Sequence, residues 1–335
     1  MPLGKKILQN LASLWISFIF LILLFVAILL IAVQLAPPTW LISLPLFLGA
    51  INLCAALFVH PRLREQTGLY IFHVALFILL LLLALSRLTY LKGWVEVAQG
   101  SSFEGVLAKQ EQGLWHWDRL KKVIFINEGF TIHYTPNLKR QQTLNQVSWL
   151  DDEGQHHRLT IGDDRPLVRF GYRFYTSFNK GFAPVFIWTP REHGGQEVGV
   201  VHLPSFPLME NQSNTWNIPG SGYVVTVRLI LAKGDFSPEK EFVFPTDLPI
   251  GPIEVELNGS KQMLLVGDSV QTALGVLTYG EMRSWMGYQV FYDWTRPWLL
   301  AACCTIIFGL ALHYWQKFNR TSWLVLSVDS GGGNP

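Results

Sequence analysis

Four runs of apolar residues, 11–33, 40–59, 69–88 and 297–315, set the limits on what this chain can be. Crossing the hydrocarbon of a bilayer takes about 20 such residues in a helix. Each run meets that length. The first run is too long for the apolar stretch of a signal peptide and lacks a small-x-small cleavage site, so it reads as a retained helix. Pro37 and Pro38 break the chain after it.

The remainder, roughly 91–296, has ordinary polarity, which is how a chain that is 50% hydrophobic and only 15% charged can still carry a large water-facing part. That part reads as short β-prone runs, among them FTIHY, QVSWL, YRFYTSF, PVFIWT, GYVVTVRLILA and YQVFYDW, separated by glycine-, proline- and aspartate-rich turns. Only 101–121 suggests a short helix. The expected fold is a multi-pass membrane protein: four transmembrane α-helices, with a large all-β extracytoplasmic domain, a sandwich or barrel, between the third and fourth. Its parts are 1–90 with three helices, 91–296, and 297–335 with the fourth helix and a short tail.

Basic residues orient it. Lys5 and Lys6 precede the first run, Arg62 and Arg64 follow the second, and Lys317 and Arg320 follow the fourth. If every run spans, all three clusters share one side, and the positive-inside rule makes that side the cytoplasm. Arg87 and Lys92 dissent mildly. The net charge of +2 is scattered, which argues against nucleic acid as a partner.

Motifs for soluble catalysis are missing: no phosphate loop, nucleophile elbow, zinc-protease helix or dinucleotide fingerprint occurs. Asp151 with Asp152 and Asp163 with Asp164 sit in turns and read as solvated. His156 and His157 are adjacent, so a strand points them apart. His116, His133, His193 and His202 read as isolated. Cys54, Cys303 and Cys304 lie in apolar runs without C-x-x-C spacing and read as small helix residues. GLWHWDRL, 113–120, reads first as packing, with a porphyrin platform or a membrane interface as the other uses of its tryptophans.

His73 is the exception, an imidazole in YIFHVALFILLLLLALS. A polar group in hydrocarbon must be bonded, solvated or coordinated, and an ionisable residue inside a span marks a functional position by default. It lies about 6 Å inside the cytoplasmic end of the third run. Three uses stand open: a bond to a carbonyl or a neighbouring helix, contact with interfacial water, or axial coordination of haem iron against an apolar wall. A second axial ligand would come from His313, at similar depth in the fourth run, from His60 nearer the surface, or from a partner protein.

The chain resembles the ResB family of System II cytochrome c biogenesis in several stretches. These are FHVALFILLLLLALSRL running into GWVEVAQGSSF, then FTIHYTPNLKRQQTLNQVSWLDDEG followed by DDRPLVRFGYRFYTSFNKG, and finally LTYGEMRSWMGYQVFYDWTRPWLLAACC. The resemblance implies that the chain works in the bacterial inner membrane, with both termini cytoplasmic and the β domain periplasmic. It implies a multi-span partner of the ResC/CcsA type with a tryptophan-rich loop, and a joint role in carrying haem b outward for attachment to the C-x-x-C-H thiols of apocytochrome c. His73 then matches the family's third-span haem ligand. On its own the chain would not be an enzyme. Two other readings stand beside this one: a membrane-anchored β scaffold with no haem ligand, and a small haem-b electron-transfer subunit using His73 and His313.

Overall fold

The computed structural model describes residues 3–33, 39–192, 195–204, 211–230, 239–246 and 251–328. His193 and the Pro37–Pro38 break lie outside them, as does most of the glycine-rich tail. The chain divides into two compact units. One holds the residues up to Leu91, Gln112–Trp117 and those from Asp293 onward; the other holds Lys92–Glu111 and Asp118–Tyr292.

The first unit is helical: α1 (Leu3–Leu11), α2 (Leu14–Ala32), α3 (Ser43–Val59), α4 (Pro61–Glu65), α5 (Thr67–Thr89) and α6 (Arg296–Val328). Four segments are long and apolar enough to cross a membrane: Leu14–Ala32, Trp40–Val59, Thr67–Thr89 and Arg296–Asn319. The first begins three residues later than the hydropathy pattern implies, because Ser13 caps α2, its hydroxyl accepting from the Trp15 N–H at 3.2 Å. Asn52, buried in α3, fastens the resulting break. Its amide donates to the carbonyls of Leu11 at 2.6 Å and Ser13 at 3.1 Å, and its oxygen accepts from the Ser17 hydroxyl at 2.7 Å.

α5 and α6 run antiparallel at close range. A Cβ at Gly68 would lie 2.3 Å from the His313 nitrogen, and one at Gly309 would lie 2.7 Å from that of Phe72. Glycine in each helix lets the two backbones approach, as small residues do where helices pack in lipid.

The second unit is β-rich. Tyr172–Pro190 and Gly275–Tyr292 pair antiparallel from Tyr172↔Tyr292 to Gly275↔Pro190, with two irregularities in register. They centre an eight-stranded sheet that also takes in Leu91–Ala98. A five-stranded sheet is built on Ile124–Tyr134, Arg140–Leu150 and His156–Gly162, and a four-stranded one on Asn211–Asn217, Val224–Ile230, Ile253–Leu257 and Ser260–Leu264. The first two sheets meet through aromatic rings: Phe125 lies 5.2 Å from Phe174 and 5.4 Å from Tyr288, centre to centre. Tyr288 is fully buried, and its hydroxyl donates to Asn145, which donates in turn to Asn127. This satisfied polar chain fixes the register of the sandwich where apolar packing alone is permissive.

No helix forms over 101–121 beyond a single tight turn at Leu120–Lys122; Ser102–Glu104 and Lys109–Gln112 are strands. The KQEQ run has no apolar period of its own and is held by pairing with Leu91–Ala98, a long-range contact that local pattern does not carry.

Candidate functional site

His73 stands in the second turn of α5, half-buried, with a ring-edge contact to Phe72 at 5.0 Å. Its Nδ1 lies 2.8 Å from the carbonyl oxygen of Leu69, one turn back. A carbonyl only accepts, so Nδ1 is the donor in this contact. Nε2 makes no hydrogen bond among the described residues, and in a neutral ring with Nδ1 as donor it is the nitrogen with the free lone pair. Histidines that bind metals are held in this way, with the second nitrogen anchored to a carbonyl or carboxylate.

His313 is carried on the crossing itself, its main chain against Gly68 and its ring 5.4 Å from Tyr314. Since Gly68 faces His313 and Phe72 faces Gly309, His313 and His73 differ in depth by about 7 Å at 1.5 Å per residue. His73 is also rotated about 100° from Phe72 and about 140° from Gly68, the two positions that meet α6. The structure therefore brings the helices of the two histidines together without aiming one imidazole at the other. His60 ends α3, exposed and beside Pro61.

Between α5 and α6 lies an apolar cleft of about 430 Å³, walled by Val74, Ala75, Ile78, Leu82, Trp298 and Ala302 among others, and neither histidine lines it. At the far end of α5 the GLWHWDRL segment acts as a cap. The N–H groups of Gly113 and Trp115 donate to the carbonyls of Tyr90 and Leu88, and His116 Nδ1 donates to that of Thr89 at 2.8 Å. These are carbonyls that a helix end leaves without partners. Trp115 and Trp117 remain 57% and 49% exposed, whereas Leu120 of the same segment is buried, so the two tryptophans are not core residues.

Chemistry also gathers where the sequence reads as isolated or solvated. His202 Nδ1 bonds Glu96, and its ring stacks on buried Trp285 at 4.9 Å. Asp163 pairs with Arg140 and accepts from Thr176 at 2.9 Å. Beside that pair, buried Lys180 donates to Thr143 at 2.8 Å. His157 bonds Asp151, while His156 is exposed. Cys54, Cys303 and Cys304 are free thiols. Among the described residues no three His, Cys, Asp or Glu side chains converge as a metal cage.

The model of the ResB-like family matches residues 62–251, more than half of the chain and inclusive of α5 with His73. The chain belongs to the ResB-like family. No curated protein matches it. Among solved structures the Cytochrome c Heme Lyase CcmF is similar at 13% identity and a TM-score of 0.28, over 94% of this chain and 39% of that one. The ResB-like chain thus spans about two-fifths of that structure's length. Sequence reasoning singles out His73 because a lone imidazole interrupts aliphatic residues. It missed Asn52, which interrupts 40–59 in the same way, and the Glu96–His202 pair, whose members lie far apart in sequence.

Proposed function

We propose that the chain is the ResB-type subunit of a System II cytochrome c biogenesis complex, with His73 an axial ligand to haem b as cargo on its way across the bacterial inner membrane. One observation carries this reading: in an otherwise apolar helix, His73 has its Nδ1 committed to the Leu69 carbonyl and its Nε2 without a hydrogen bond among the described residues. Membership of the ResB-like family supports the same role. The chain's own residues hold the imidazole in one tautomer, keep water from it with Leu76, Phe77 and Leu80 as neighbours on α5, and present the β unit at the periplasmic exit. The second ligand comes from a multi-span partner of the ResC/CcsA type with a tryptophan-rich loop, a source favoured by the rotation of His73 away from α6. Apocytochrome c with its C-x-x-C-H thiols is the acceptor, and attachment requires the partner.

The test is the visible spectrum of the chain purified with that partner. The His73→Ala variant is expected to lose the haem Soret band and regain it on adding imidazole, which replaces the missing ligand. The His313→Ala variant is expected to keep the band. A band unchanged in His73→Ala would remove the assignment, and loss in His313→Ala of the isolated chain would favour the electron-transfer reading instead.

A further inference from the structure

The β unit carries a cation that the intramembrane histidine leaves unexplained. Arg169 ends the strand Leu167–Arg169, opposite Tyr172, and the two residues between them, Phe170 and Gly171, both have positive φ, 49° and 86°. That is the two-residue hairpin turn that suits strand twist, and a phenylalanine in it is unusual. The Arg169 guanidinium carbon lies 5.2 Å from the centre of the Phe170 ring and 5.1 Å from that of Trp149. Trp149 stacks in turn on His157 at 5.4 Å and 15°, and His157 Nε2 lies 2.7 Å from Asp151.

Arg169 and Trp149 are the members of this row that lack polar partners. Arg140, Arg228 and Arg283 each pair with a carboxylate. Arg169 makes no ion pair or side-chain hydrogen bond among the described residues, and its Nε is buried with no acceptor. Trp149 Nε1, in the ring beneath it, is likewise a buried donor with no acceptor. Buried donors are nearly always satisfied, so two in one cluster point to an acceptor that arrives from outside the chain. The carboxylate of the cluster is already engaged: Asp151 takes His157 and the N–H groups of Glu153 and Gln155. Two ring faces meanwhile restrict the guanidinium plane, so its fork of donors is oriented in advance.

We propose that Arg169, framed by Trp149 and Phe170, is a carboxylate-binding site on the β unit. A planar, singly charged acceptor matches the planar fork, and the indole N–H adds a third donor. Two sources supply that chemistry: a haem propionate, which rests on the haem-handling role proposed above, and an acidic side chain of a bound polypeptide, which does not.

The experiment uses the full chain in detergent with His73→Ala, so that the intramembrane imidazole does not contribute. It is titrated with haem, with haem dimethyl ester, whose propionates are blocked, and with a tri-glutamate peptide. Arg169→Gln is expected to weaken the carboxylate-bearing probe about tenfold or more. Arg169→Lys, which keeps the charge and loses the fork, recovers only part, and Trp149→Phe, which keeps a ring and loses the N–H, weakens binding by a smaller factor. Loss for haem without loss for the ester assigns the propionate; loss for the peptide alone assigns the polypeptide. Unchanged binding of both haem and peptide in Arg169→Gln overturns the site. A failed role for His73 leaves the peptide arm standing and is read separately, from the Soret band.

Discussion

Lys180 occupies an inward position of the strand Tyr172–Pro190, at 1% exposure, where the alternation of a sandwich strand calls for an apolar side chain. Burial drives its ammonium group down to about 7, the Arg140 charge pushes it the same way, and Asp163 opposes them. The unfolded chain would hold that proton to about pH 10, so between about 7 and 10 the unfolded state binds more protons than the folded one. Stability therefore rises with pH across that window, by no more than about 1.4 kcal/mol per pH unit from this group, and below pH 7 the full penalty of burying the charge is present. Lys180→Met should raise the melting temperature more at pH 6 than at pH 9 and flatten the rise between them. Equal effects at both pH values would mean that the lysine keeps its ordinary basicity. Tyr172 and Tyr279, pushed by burial up to about 12, stay neutral throughout and do not blur the comparison.

Among the elements, the α5–α6 crossing leaves little room between two backbones. Gly68→Ala would set a methyl carbon against the His313 backbone, whereas an alanine at Gly4 of α1 meets nothing within 4 Å. Overpacking of this sort is worth about 1–3 kcal/mol, so Gly68→Ala should melt earlier in detergent and Gly4→Ala should not. Identical melting of the two would mean the helices are not packed this closely. Replacing Asn52 by leucine should destabilise the same unit by about 1–3 kcal/mol, because it strips partners from the Leu11 and Ser13 carbonyls and the Ser17 hydroxyl. What could be read beforehand was helix length, since hydropathy is a sum over a run. Gly68, Gly309 and Asn52 vanish in that sum, although each is visible as a single departure within or beside its run. The strand Lys109–Gln112 and the capping role of Gly113, Trp115 and His116 depend on partners distant in sequence, and no local period announces them.

For the whole molecule, the arrangement of charge makes the sharpest demand. Under the proposed function the four apolar segments of 19 to 24 residues all cross the membrane, which would put Lys5 and Lys6, Arg62 and Arg64, and Lys317 in one compartment and the β unit in the other. The bias that governs short loops would then assign the basic clusters to the cytoplasm, while a large folded insert crosses largely regardless of its own charge. The proposed haem route, from His73 near the inner leaflet to an acceptor protein outside, requires that orientation. In a chain whose three native cysteines are replaced by alanine, a cysteine at Lys261, on the exposed strand Ser260–Leu264, should react with a membrane-impermeant maleimide in intact cells. A cysteine at Arg62 should react only after permeabilisation. Labelling of the Arg62 position in intact cells would put the short basic loop outside, reverse the depth of His73 relative to the two faces, and remove the route by which haem is proposed to reach the β unit.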